Sequence, residues 1–350
     1  MGITHRNHYV PQASLRRWSL DGGERVYAYR TLVSEAIVPE WELKAIRGLA
    51  SQPDLYTSVD GGQETDEFER WIGREYEDPG LKAIDKVVSN KRLTPTDWDF
   101  IARFVAAQDL RTPANFLELQ KLWDSQAPAI LDGCIESFKK LQRGERSVPL
   151  NTKGRDPTMD SAIRVRVSPG DDPLTNKATV EVEIAPRKLW LCQVRDLLTR
   201  KAASLSKHRW SVATPDGDEE WPLTDHPVIR LNYYKSGNYD FLGGWDRKGS
   251  EILIPVSPKH LLCVQVGKKL PNRFVAPNEV TKKLQRIIVE RCHRWIFARR
   301  PDSWISEVRP RVVDREAFHA EQESWSCWSE QQRRVETEMP EDSPAPSITS

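Results

Sequence analysis

The chain is poor in the features that most often betray a function. Its five cysteines, at positions 134, 192, 263, 292 and 327, lie far apart and form no Cys-x-x-Cys. That spacing argues against a zinc ribbon or a dense disulfide framework and fits a reducing, cytoplasmic setting. No apolar run approaches the ~18 residues of a membrane span, so no membrane partner is expected. The N-terminus lacks the apolar core of a signal peptide. There is no internal repeat, no Gly-x-x-x-x-Gly-Lys-Ser/Thr, no Gly-x-Gly-x-x-Gly and no Gly-x-Ser-x-Gly. The common phosphate cradles and the nucleophile elbow are therefore absent, and no cofactor can be named.

Net charge is only +1, but it is unevenly spread. From Asp314 onward there are three arginines against nine acidic residues, so a mildly basic body carries an acidic end. With 350 residues, 38% hydrophobic and 29% charged, the body is long enough to bury a sizeable core. Thirteen tryptophans are many, and buried indoles need partners for their N–H groups.

The periodicity divides the chain. Arg25–Arg30 alternates as a half-buried strand does, and 31–62 is turn-rich. A helical block runs from about 64 to 143, interrupted at Pro79 and Pro113. Residues 144–160 read as a loop, and a strand-rich part follows to about 300. One helix from about Pro186 to Ala203 interrupts it, and another, Asn278–Arg299, closes it. The expected fold is α+β, a mainly helical N-terminal half packed on a mainly antiparallel β half. Residues 1–313 would form a single domain, and 314–350 an acidic, largely disordered tail.

Chemistry is suggested where polar residues sit on apolar faces. In the helix beginning at Trp98, set Ile101 at 0° with about 100° per residue. Phe104, Val105 and Trp98 then fall at about 300°, 40° and 60°, with Gln108 at about 340° and Arg111 at about 280°. Two polar groups thus extend an inward stripe. They read either as a structural bridge or as an anion-binding pocket floor. On the preceding helix the same wheel places Glu75 beside Phe68, Trp71 and Ile72, a partner for Arg111, while Glu77 points elsewhere unless Pro79 shifts the geometry. At the N-terminus, His8-Tyr9-Val10-Pro11 runs into Leu15-Arg16-Arg17-Trp18, which mixes groups wanting burial with groups wanting partners. Asp225, held in Thr224-Asp225-His226-Pro227, is a turn former, a general base or a metal ligand. His5 and His8 have a helical i, i+3 spacing, but Pro11 and the want of a third ligand leave metal dependence open. The closing helix carries Lys282, Lys283, Arg286 and Arg294 opposite its apolar stripe, a solvated face or a path for nucleic acid.

Taken together, His8-Tyr9-Val10-Pro11-Gln12 with Leu15-Arg16, Gln108-x-x-Arg111-Thr112-Pro113, Thr224-Asp225-x-Pro227-Val228 and Pro255-x-Ser257-Pro258 resemble the domain-of-unknown-function 4238 family over about residues 5 to 300. The sequence departs from that pattern at Ala13-Ser14, at Leu223-Thr224 and at His226, where the family has asparagine. A family glutamate aligns with Glu77 better than with Glu75. The resemblance implies that these polar residues form one constellation and names no activity. Two functions are then expected to compete. One is a hydrolase acting on phosphate esters, nucleic acid among them, with His8 as base or acid, Arg111 as anion clamp, Gln108 as orienting donor and Asp225 as partner of His8 or metal ligand. The other is a non-enzymatic binding or interaction module in which the same residues form a structural network.

Overall fold

The computed structural model describes residues 2–20, 23–143, 162–169, 178–235 and 237–338. The fold is α+β. A six-stranded sheet is ordered Asn238–Asp240, Ile229–Lys235, Ser250–Ser257, His260–Gln265, Ser211–Pro215, Arg273–Ala276. Its neighbours are antiparallel except the last pair, which is parallel. The apolar run Ser250–Ser257 lies in its interior and is buried along nearly its whole length, as a strand covered on both faces must be.

A four-stranded antiparallel sheet joins the chain's two ends. Its order is Leu223–Thr224, Trp295–Ala298, Arg25–Arg30, Trp41–Ala45. The closing helix consequently stops at Glu290 instead of running to Arg299. Trp295–Ala298 pairs with Arg25–Arg30, so backbone groups that a longer helix would have satisfied internally are satisfied across the chain. Residues 31–62, expected to be irregular, supply short strands, among them Ser51–Pro53, which pairs with Arg6–His8.

The helical block is built as its punctuation suggests. Thr94 and Asp97 form a reciprocal capping box at the start of Pro95–Leu110, with Pro95 in the first turn. Pro113 opens the next helix, Pro113–Gln142. Before Pro79 the chain makes a π-helical turn, Gly73–Glu77, between the helices Glu67–Ile72 and Asp78–Val88. Gly80 lets Asp78–Val88 lie directly on Pro95–Leu110, since a Cβ there would collide with Phe104. The largest cluster of buried residues spans both halves of the chain, from Tyr9 and Trp18 through Ile101 and Phe104 to Trp190 and Ile254.

The acidic end differs from expectation. Arg315–Glu338 is a helix, docked on the body through Trp328, Gln332 and Glu336, all buried. Glu336 forms two hydrogen bonds with the buried Arg187, at 2.8 and 2.5 Å. Gln332 accepts the Arg187 amide at 3.0 Å. The acid that made the segment look solvated is thus one half of an inner ion pair, and the i, i+4, i+8 spacing of 328, 332 and 336 supplies a buried face. The expected 144–160 loop and residues 339–350 lie outside the described residues. Among the described residues no helix is long and apolar enough to cross a membrane.

Candidate functional site

The opening segment is tied into the body. Tyr9, Val10, Leu15 and Trp18 are buried, and the Tyr9 amide donates to the Ala50 carbonyl at 2.9 Å. Strand alternation turns Asn7 inward and leaves the His8 ring half-exposed on the other face. His8 Nε2 lies 3.3 Å from the Arg47 carbonyl and 3.3 Å from Gln12 Nε2. Burial, with the charges of Arg111 and Arg6, holds its pKa below the usual histidine value despite the Arg47 carbonyl.

Arg111 grips this segment by its backbone. It is 1% exposed, and its Nε and Nη2 donate to the carbonyls of Tyr9 and His8 at 3.1 and 2.6 Å. Nη2 also lies 2.6 Å from Glu77 Oε1. The Arg111 carbonyl lies at the break between the two helices, where the Asn115 amide turns to Thr112 Oγ1 instead, and it accepts the Tyr56 hydroxyl at 2.6 Å. Tyr56 N donates in turn to Asn7 Oδ1 at 3.0 Å. Glu77, not Glu75, is therefore the partner. Glu75 is 41% exposed and pairs with Arg74 at 2.8 Å. The extra residue in the π-turn moves Tyr76 to the place on the apolar face that an α-helix would give Glu75, and Glu77 follows it inward. A third acid, Glu69, adjoins the pair. Burial pushes it up to about 7, with Glu77 and Asp66 adding to the shift and Arg111 opposing it.

Asp225 has a different task. Its two carboxylate oxygens accept the amides of His293 and Arg294 at 2.9 and 2.7 Å, and its own amide donates to the Trp295 carbonyl. It fixes the turn between the Asn278–Glu290 helix and the Trp295–Ala298 strand. Burial raises it to about 6 against those amide bonds. No hydrogen bond joins His8 to Asp225 among the described residues, so the expected His8–Asp225 pair is not built. Gln108 lies buried at the centre of the stripe, as the wheel places it, and its Nε2 has no partner among the described residues.

The four motifs nevertheless form one connected framework. Arg111 joins the second to the first. Trp18 Nε1 donates to the Trp221 carbonyl at 2.7 Å, which joins the first segment to the stretch leading into Asp225. The Trp221 amide donates to the Pro258 carbonyl at 2.8 Å, and Thr112 Oγ1 meets His226 Nδ1 at 2.8 Å.

That last contact opens onto polar residues the sequence reading missed. Asp109 is fully buried, and its Oδ2 takes Trp245 Nε1 at 2.8 Å and Arg230 Nε at 3.1 Å. Arg291 pairs with Glu118 at 2.7 Å and lies 5.6 Å from the Phe241 ring. His226 is buried, and its Nε2 has no partner among the described residues. Burial holds its pKa well below the usual value, helped by Arg291, Arg230 and His293. Burial likewise lowers His293 to about 4, helped by the cations Arg294, Arg309, Lys121 and Arg291. A signal existed for Asp109. It falls at about 80° on the Ile101 wheel, beside Trp98 on the same stripe. Arg230 and Arg291 carry none.

Elsewhere, His5 Nδ1 meets Asp54 Oδ1 at 2.7 Å, and Arg286 of the cationic helix face meets Glu290 at 2.7 Å. Among the described residues no three His, Cys, Asp or Glu side chains converge as a metal site.

The molecule is thus an α+β protein in which a buried polar framework joins four separated motifs. The chain matches the family model DUF4238, protein of unknown function, over residues 6–302, and it belongs to that family. No curated protein and no solved structure matches it.

Proposed function

We propose that this protein is a non-enzymatic binding module whose motif residues hold the fold. The observation that carries this reading is the use of Asp225. Both its oxygens are committed to backbone amides, which leaves His8 without a carboxylate to orient or charge it. Arg111 is held likewise: its Nε and Nη2 go to two carbonyls and Glu77, and its remaining Nη1 is buried away from solvent, so an incoming phosphate would have to open the enclosure. The phosphate-ester hydrolysis suggested by the residue types lacks its dyad. A reducing compartment belongs to the same reading, since Cys263 and Cys292 are buried free thiols.

The test is a screen of phosphodiester, nucleotide and ester substrates with the full chain, with and without divalent metal. No turnover is expected, and His8→Ala is expected to melt close to the wild type. Hydrolysis by the wild type, abolished in a folded His8→Ala protein, would overturn the reading.

A further inference from the structure

The helix Pro95–Leu110 and the cap that follows it present two polar surfaces. Arg111 is enclosed on one. On the other, Asp109 meets Arg230 and Thr112 meets His226, both from the β half, and the charge of Arg291 acts on Asp109 and on His226. This second surface reaches solvent, because the side chains of Arg230 and Arg291 are 28% and 20% exposed. Beneath them the His226 ring is 2% exposed.

The proton on that ring can be placed. Asn115 N donates to Thr112 Oγ1 at 3.2 Å, so the hydroxyl's own hydrogen is free for His226 Nδ1 at 2.8 Å. Nδ1 then accepts, and the neutral ring carries its proton on Nε2. Nε2–H is a buried donor without an acceptor among the described residues. Such a group costs stability unless something accepts from it. The cations whose charges act on this ring, Arg291 and Arg230, each meet one carboxylate, and a guanidinium has five N–H donors. The same surroundings hold His226 and His293 neutral.

We propose that the His226, Arg230 and Arg291 cluster binds the phosphate group of a small organic phosphate, with the buried imidazole N–H beneath and the two partly exposed guanidinium groups above. The proposal rests on the binding-module reading and gives it a ligand class. Three donor groups, two of them cationic, suit a tetrahedral dianion better than a planar carboxylate, which one arginine satisfies in bidentate fashion. Trp245 and Phe241 stand beside the two arginines and offer apolar planes to the organic part.

The experiment is calorimetric titration of the full chain with inorganic phosphate, AMP and acetate, followed by ³¹P NMR to detect turnover. Saturable binding of phosphate and AMP, with AMP tighter and acetate at least about tenfold weaker, is expected. Arg291→Met and His226→Leu should each weaken phosphate binding by about tenfold to a hundredfold. Arg291→Met decides if His226→Leu fails to fold, since Arg291 is partly exposed. Failure of the wild type to bind phosphate and AMP overturns the proposal, as does equal binding of acetate or undiminished binding by a folded Arg291→Met protein. Each of those results leaves the non-enzymatic reading intact. Hydrolysis of bound AMP would instead overturn that reading and leave the phosphate site standing.

Discussion

Arg111 and Arg291 stand on opposite sides of the same helical seam and show how differently one residue type can be used. Arg111 is enclosed by Glu77, two carbonyls and the Tyr56 ring, with Glu69 close by. Among the described residues Arg291 pairs with Glu118 and lies over the Phe241 ring, and it reaches water. A charge that is paired and sealed is architecture, and removing its partner is expensive. A charge that is paired at a rim contributes little to stability and remains available for recognition. Of the residues that resemble the family pattern, His8, Tyr9 and Arg111 meet on the sealed side, and Thr112, through its contact with His226, joins the two.

The largest effect that would break this comparison is expected at Arg111. Arg111→Ala leaves Glu77 buried without its cation and frees the carbonyls of His8 and Tyr9. A loss of about 3–5 kcal/mol is expected in denaturant unfolding. Arg111→Lys should recover little, because one ammonium cannot reproduce the fork that spans both carbonyls. An Arg111→Ala protein as stable as the wild type would remove the distinction between the two sides.

Glu336→Ala tests the same rule far from the seam. It strands Arg187, which is 2% exposed, and unpins the Arg315–Glu338 helix. A loss of about 3 kcal/mol is expected, at the low end for a broken buried pair because the helix lies near the chain end. Faster amide exchange across 315–338 should accompany it. A free, solvated tail would show neither change.

The two sides should also respond to pH with opposite sign. Glu69 titrates at about 7 in the folded protein, above its ordinary 4.5. Its contribution is fully present below about 4.5 and is lost as pH rises through about 7. Glu69→Gln should therefore stabilise by about 1–3 kcal/mol at pH 8 and have little effect at pH 4. His226 and His293 are shifted downward, His293 to about 4. Their contribution is present above about 6.5 and is lost as pH falls below it, when the unfolded chain takes protons that the folded one refuses. His293→Asn should flatten the acid side of the profile by about 1–2 kcal/mol. Thermal melting from pH 4 to 8 checks both, and a variant-minus-wild-type difference that changes with pH in the same direction for both variants would contradict the assignment.

These differences mark how far the sequence could be read. The Pro95–Leu110 helix, its buried Gln108 and Arg111 and most strands of the β half follow from local periodicity and punctuation, because the forces that set them are local. Glu75 took the place of Glu77 because a wheel assumes an unbroken phase, and the π-turn at Gly73–Glu77 adds a residue that no composition signals. The closing helix ran past Glu290 because Trp295–Ala298 becomes a strand only by pairing with Arg25–Arg30 at the other end of the chain. The acidic end looked solvated because net charge hides a single acid whose cation lies about 150 residues away, at Arg187. Arg230 and Arg291 were invisible for the same reason. Each becomes informative only beside Asp109, Glu118 and His226, which tertiary structure alone brings near.

The smallest expected effect is the sharpest test of the comparison. Arg291→Met removes a full charge, as Arg111→Ala does, yet its partner Glu118 is 45% exposed and keeps its hydration when the arginine goes. The methionine retains most of the apolar stem against Phe241. Stability should therefore change by less than about 1 kcal/mol, several-fold below the loss at Arg111. The two arginines should part again when ligand is added. Phosphate at 100 times its dissociation constant would stabilise the wild type by about 2.7 kcal/mol if it binds only the folded state. The Arg291→Met protein should gain much less at that concentration, because its weaker site is further from saturation. Thermal melts of both proteins, with and without phosphate, measure the two quantities together. A variant that melts like the wild type alone and falls behind it only with phosphate present would place Arg291 on the recognition side of the seam. A variant that loses stability as Arg111→Ala does, whatever the phosphate concentration, would make both arginines architecture.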